Sequence, residues 1–69
     1  MNTYTAVIKH VDDWWVGWVE EIPGVNCQEA TRDELLETLQ MTLAEAIEFN
    51  REDARLAAGQ HYQEETIAV

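Results

Sequence analysis

The first part of the chain alternates apolar and polar positions, as strands with one buried face do. Residues 3–10 are rich in β-branched side chains and predict the first strand. Asp12-Asp13 is a polar turn signal, and Trp14-Trp15-Val16-Gly17-Trp18-Val19 follows at once as the second strand. Pro23-Gly24 ends that strand, because proline lacks a ladder donor and Pro-Gly favours a turn. Residues 25–29 then predict a short third strand.

The hairpin register divides these side chains between two faces of the sheet. With an even-numbered loop, face one pairs Ala6 with Val19, Ile8 with Gly17 and His10 with Trp15. The same register gives face two the pairs Thr5 and Glu20, Val7 and Trp18, and Lys9 and Val16, with Trp14 beyond them. An odd-numbered loop would exchange the two sets, since a slip of one residue reverses every side chain.

After Thr31 the apolar period lengthens to that of a helix. Thr31 and Glu34 have capping-box spacing, in which the threonine hydroxyl accepts a first-turn N–H and Glu34 reaches back to the Thr31 N–H. The apolar stripe that follows consists of Leu35, Leu36, Leu39, Leu43, Ala46 and Ile47. Because Asn50 and Asp53 interrupt this stripe, we expect the helix to end between Asn50 and Gly59, with Gly59 as its C-terminal cap.

These elements predict a small α+β domain of order β-β-β-α-β, with a three-stranded antiparallel sheet and one covering helix. The last strand would be Thr66-Ile67-Ala68-Val69, and the sequence leaves open whether this segment joins the sheet, frays, or pairs with another copy. One helix covers one face, and small Ala6 and Gly17 make room for it on face one. We therefore expect face two, with its two tryptophans, to stay open.

The length and cysteine content of the chain limit which classes of protein it can belong to. The 69 residues predict a single domain over residues 1–69, and the single Cys27 excludes an internal disulfide framework. The N-terminal residues lack the basic and apolar regions of a signal peptide, and no apolar stretch approaches the roughly 20 residues of a bilayer span. We expect a soluble cytoplasmic protein.

The net charge of −10 shapes the expected partners. Nucleic-acid binding depends on Lys and Arg that neutralise phosphates, so we expect no direct binding to DNA or RNA. Because no apolar stretch is long enough to span a bilayer, we also expect no membrane partner. An acidic surface attracts basic proteins and speeds their encounter by steering. The alternative is that the acids only keep a small domain soluble.

The sequence offers few groups for catalysis. It has no glycine-rich phosphate loop, no nucleophile elbow and no Cys/His pattern with metal-ligand spacing. Neighbouring carboxylates at Asp12-Asp13 and Glu20-Glu21 would point to opposite faces of a strand and so share an ion poorly. His10, His61 and Cys27 have no evident catalytic partner. We predict no enzyme activity, no cofactor and no metal site.

The ordered series of motifs resembles the N-terminal domain of the HicB antitoxin family. The resemblance is carried by Tyr4-Thr5-Ala6-Val7-Ile8, Asp12-Asp13-Trp14-Trp15-Val16-Gly17, Glu21-Ile22-Pro23-Gly24 and Thr31-Arg32-Asp33-Glu34-Leu35, within residues 4 to 50. The chain departs from the family pattern at Glu29-Ala30, where a Gly and an acidic residue are usual, and at Asp33-Glu34-Leu35, where Glu-Glu-Ala is usual.

This resemblance implies a reduced ribonuclease H-like fold and a type II toxin-antitoxin function. Family members neutralise a small basic toxin that cleaves mRNA, and they do so by protein-protein binding. Many members continue into a DNA-binding domain that the resemblance does not reach, so we expect a short form and carry over no operator binding. A vestigial nuclease would rest on fold analogy alone.

Our hypothesis is therefore an antitoxin-like binding module for a HicA-like toxin, itself a homo-oligomer. The candidate partner-binding residues are Trp14, Trp18, Glu20, Glu21, Glu37, Glu45 and Glu48. The tryptophans would be apolar anchors and the carboxylates would face Lys and Arg. The alternative is a stand-alone homo-oligomeric structural or regulatory protein with no toxin, in which face two or the segment near Val69 contacts a second copy.

Overall fold

The computed structural model describes residues 3–69. In chain order it contains β1 (Ala6–Val11), β2 (Trp14–Val19), β3 (Asn26–Glu29) and α1 (Arg32–Ala58). The strands form one antiparallel sheet of order β1-β2-β3, which confirms the predicted small α+β domain. Met1 and Asn2 lie outside the described residues. They begin the N-terminal segment for which we expect no signal peptide.

The β1–β2 hairpin has the predicted register. Ala6 lies opposite Val19, Ile8 opposite Gly17 and His10 opposite Trp15. The turn is the two-residue Asp12-Asp13, and Asp12 has the positive φ of 55° that tight hairpin turns require. Beyond the strand ends the Glu20 N–H donates to the Thr5 carbonyl at 2.9 Å, which extends the ladder by one pair. Faces one and two therefore carry the side chains that the even-numbered loop predicts.

Helix α1 begins and ends where the sequence predicts. The Thr31 hydroxyl accepts the Glu34 N–H at 3.2 Å. The second half of the predicted capping box is wrong in detail, because the Glu34 carboxylate accepts the Thr31 hydroxyl at 3.1 Å instead of the Thr31 N–H. At the other end Gly59 has φ 75° and donates its N–H to the Arg55 carbonyl at 3.2 Å, as a C-terminal glycine cap does.

The core lies between face one and α1, as predicted. Among the described residues, the buried hydrophobic side chains are those of Val19, Val25, Leu35 and Leu39. Around them pack the half-buried side chains of Tyr4, Ile8, Trp15, Ile22, Cys27, Leu43 and Ala46. Trp15 thus belongs to the core face, whereas its two neighbours in the tryptophan cluster point to face two.

The predicted last strand does not form on this sheet. After α1 the described chain has no strand, and residues 66–69 are exposed and irregular. The physical reason is the length of α1, because its 27 residues span about 40 Å and carry the chain past the end of the sheet. The following segment lies against the last turns of α1, where Glu64 pairs with Arg55 at 3.5 Å.

The length and hydrophobicity of α1 determine whether this helix could span a membrane. Among the described residues, no helix combines the length and the apolar character that crossing a bilayer requires.

Candidate partner-binding surface

Face two is an apolar surface that nothing in the described part of the chain covers. Its side chains alternate with those of face one along β1, β2 and β3, and α1 packs on the opposite side of the sheet. Three of its apolar side chains are well exposed, with Val11 at 41%, Trp14 at 49% and Trp18 at 40%. Val7 and Val16 are half-buried. Two open indoles on a chain of this size form an unusual surface.

The register places each indole of face two opposite a valine. Trp14 lies opposite Val11, and Trp18 lies opposite Val7. Directly opposed side chains on one face are about 5 Å apart at Cβ, which is within reach of an aromatic ring. Between the two pairs Lys9 lies opposite Val16. On the β1–β2 part of face two, two Trp–Val pairs therefore lie on either side of Lys9, and β3 adds Asn26 and Gln28 opposite Trp18 and Val16.

Carboxylates stand at both ends of this surface. Asp12 and Asp13 form the turn beside Trp14, and Glu20 and Glu21 follow β2 beside Trp18. Glu20 is two residues beyond Trp18 and so shares its face. All four side chains are exposed. The indoles are thus bracketed by negative charge along the strand direction.

Glu21 is held in place by the neighbouring strand. Its carboxylate Oε1 accepts the Thr5 N–H at 2.8 Å. That hydrogen bond favours the ionised form and lowers the pKa of Glu21 from its ordinary value of 4.5. The bond orders the acidic end of β2, because it fixes a side chain that would otherwise be free in solvent.

The other three candidate carboxylates lie on a separate surface. Glu45 and Glu48 are three residues apart on α1, and Glu37 lies eleven residues before Glu48, which is close to three helical turns. All three are exposed. Since α1 packs through Leu35 and Leu39, this row faces away from the sheet. The structure therefore separates the helix carboxylates from Trp14, Trp18, Glu20 and Glu21.

The outer part of α1 carries exposed apolar side chains that the sequence pattern did not lead us to expect. Phe49 is 67% exposed and Leu56 is 80% exposed. They are seven residues apart and so share one face of the helix. The seven-residue spacing of Phe49 and Leu56 could have indicated this second apolar face, although both residues lie outside the stripe that packs on the sheet.

The side chains of His10 and Cys27 each contact another side chain of the fold. The His10 ring stacks on Trp15 with centroids 4.6 Å apart and an angle of 5° between the planes. The Cys27 thiol lies 3.5 Å from the Thr42 hydroxyl. His61 is exposed just after α1. Across residues 3–69 no group of three or more His, Cys, Asp or Glu side chains is placed to hold a metal ion.

Comparisons with protein-family models, with curated proteins and with solved structures found no match for this chain.

Proposed function

We propose that this chain is an antitoxin-like, cytoplasmic binding module that neutralises a small, basic, mRNA-cleaving toxin of the HicA type. The observation that carries the proposal is face two, where two exposed indoles lie between pairs of carboxylates on a chain of net charge −10. The motif series that resembles the HicB family supports the same assignment. A reduced ribonuclease H-like fold is part of this proposal.

The chemistry of face two suits a basic protein better than a nucleic acid. Tryptophans are enriched among the residues that dominate binding energy at protein interfaces, and they act best when surrounding contacts exclude water. The carboxylates at both ends of face two would surround the indoles and pair with Lys and Arg. RNA phosphates would instead be repelled by the same charges.

Neutralisation would work by occlusion. A toxin that cleaves mRNA needs Lys and Arg side chains to hold the phosphates of its substrate. When those side chains pair with Glu20 and the Asp12-Asp13 turn, and Trp14 and Trp18 bury apolar surface between them, the substrate loses its site. Binding of the two partners is then mutually exclusive and needs no chemistry from this chain.

Face two is the better candidate surface than the outer row of α1. The row of Glu37, Glu45 and Glu48 supplies charge, but its large apolar neighbours, Met41 at 65% exposure and Phe49 at 67%, include no tryptophan. Exposed ion pairs alone contribute little to affinity. The helix carboxylates would therefore steer the encounter, and face two would hold the partner.

Co-expression with the reading frame adjacent to this gene tests the proposal. We expect that frame to encode a short basic protein that arrests growth alone, and we expect the arrest to be relieved by this chain. The double variant Trp14→Ser and Trp18→Ser should lose the relief, whereas Met41→Ser, which removes a more exposed apolar side chain from α1, should retain it. Absence of growth arrest, or full relief by the double variant, would refute the proposal.

The second candidate is a self-associating structural or regulatory protein with no toxin, and open face two is the observation that favours it. Two copies would bury their indoles against one another. Trp18→Lys should dissolve a homodimer formed through face two, but it should also weaken toxin binding through the same face. Relief of growth arrest in co-expression is therefore the result that separates the candidates. A chain that is monomeric in light scattering at high concentration excludes this homodimer.

A further inference from the structure

An apolar groove runs beside β1, on the sheet face that α1 occupies. Helix α1 packs mainly across β2 and β3, so β1 lies beside the helix with its outer side uncovered. The groove measures about 180 Å³, and its lining includes Tyr4, Ala6, Val19, Leu36 and Leu43. Val19 is buried in the core, whereas Ala6 is exposed. The groove is therefore an open continuation of the core.

The backbone at the outer edge of β1 is unpaired in the described chain. The sheet order places β1 at one edge. The hydrogen bond from the Glu20 N–H to the Thr5 carbonyl shows that the backbone carbonyl of Thr5 points toward the β2 side. Because antiparallel ladders alternate, the N–H and C=O groups of Ala6, Ile8 and His10 point away from β2. This edge is a template for one more strand.

We propose that residues 66–69 of a second copy add to the β1 edge as that strand. The segment Thr66-Ile67-Ala68-Val69 alternates, so Ile67 and Val69 share one face and would enter the groove together. Ile67 is 84% exposed and Val69 is fully exposed in the single chain. An apolar groove beside an unpaired edge and an exposed apolar strand segment complement each other on the same molecule.

The dimensions favour a second copy over the chain's own segment. Glu64 is paired with Arg55, and the five residues that follow it reach about 17 Å when extended. Leu43 and Leu36 precede Arg55 by 12 and 19 residues, which places them about 18 and 28 Å away along the helix. The chain's own Ile67 and Val69 therefore reach at most the Leu43 end of the groove. Reciprocal exchange between two copies fills both grooves and closes a two-fold dimer.

The salt dependence of this contact distinguishes it from toxin binding. Each copy carries −10, and Glu64 and Glu65 directly precede the docking segment. Association of two such copies is opposed by repulsion that salt screens. Added salt should therefore strengthen the dimer, whereas salt weakens binding to a basic partner. Failure of one proposal leaves the other intact.

Sedimentation equilibrium of the full chain tests the contact. We expect a reversible dimer, tighter in high salt, that Ile67→Glu weakens about tenfold or more because it removes a buried apolar side chain. Ala68→Glu is the matched control, since it adds the same charge on the opposite side of the segment. Ala6→Lys should also weaken the dimer from the groove side. A mixture of the Ala6→Lys and Ile67→Glu variants should recover it, because the heterodimer joins the new charges.

Isotope-filtered NMR on a mixture of labelled and unlabelled chains identifies the occupant directly, without any variant. Intermolecular contacts between the Ile67 methyl groups and those of Leu36 or Leu43 would support the proposal. A monomer at every concentration and salt would overturn it. Contacts confined to one chain would also overturn it, because the groove would then be filled by the chain's own segment. Equal weakening by Ile67→Glu and Ala68→Glu would do the same.

Discussion

A Cβ atom added to Gly17 would lie 2.9 Å from Cδ1 of Leu39. The same atom would lie 3.2 Å from side-chain carbons of Ile8 and Leu35. Leu35 and Leu39 are both buried, so they have little space into which to move. The absence of a side chain at Gly17 therefore sets how closely α1 approaches β2. This approach closes face one, and face two is left as the open side of the sheet.

Gly17→Val should destabilise the fold by about 2–3 kcal/mol, because the added carbons have no space beneath α1. Chemical denaturation followed by tryptophan fluorescence measures the change. Gln28→Val places the same side chain on exposed β3 at face two and should change stability by no more than about 0.5 kcal/mol. Equal losses in the two variants would mean that α1 does not pack as described.

The two halves of α1 should respond differently to truncation of a leucine. Leu39 is 3% exposed, and Leu39→Ala should cost about 2–4 kcal/mol through lost burial and a cavity. Leu56 is 80% exposed, and Leu56→Ala should change stability by no more than about 0.5 kcal/mol in the monomer. Urea denaturation of dilute samples compares the two. A large loss for Leu56→Ala would show that the outer half of α1 is covered.

The Glu21–Thr5 hydrogen bond should make stability depend on pH in a defined direction. The pKa of Glu21 is lowered in the folded chain because its carboxylate accepts the Thr5 N–H. A carboxyl with a lowered folded pKa contributes stability that is present above the ordinary value of 4.5 and lost as pH falls through the folded pKa. The stability difference between the parent chain and Glu21→Gln should therefore be larger at neutral pH than at pH values well below 4.5.

The control for this prediction is Glu37→Gln, which removes the same charge from an exposed position on α1. Denaturation curves of the parent chain and both variants, recorded at neutral and acidic pH, supply the comparison. If Glu21→Gln differed from the parent chain by the same amount at both pH values, the hydrogen bond to Thr5 would not contribute as described.

Local rules were enough to predict most of the fold. The polar pair Asp12-Asp13 located the turn, and the even-numbered loop, one of the two cases considered, gave the face of every side chain in β1 and β2 correctly. Thr31 and Gly59 marked the two ends of α1, because caps are chosen by local backbone geometry. The division of the tryptophans followed from the same register, which assigns Trp15 to the core face.

The end of the chain could not be predicted in the same way. A segment such as Thr66-Ile67-Ala68-Val69 has strand-like composition, but strand formation also needs a free edge within reach. Reach depended on how far α1 continued past Asn50 and Asp53, which interrupt the stripe without ending the helix. The separation of Glu37, Glu45 and Glu48 from face two likewise depended on tertiary packing, since charge patterning gives no distances between elements.

The proposed function rests on the claim that face two binds a basic partner through Trp14 and Trp18. The most direct measurement is calorimetric titration of the purified adjacent-frame product with the parent chain, the Trp14→Ser and Trp18→Ser double variant, and the Met41→Ser control. We expect tight binding by the parent chain and the control, weakened by salt, and a loss of about 100-fold or more in the double variant. Absence of binding by the parent chain, or unchanged affinity in the double variant, would contradict the claim.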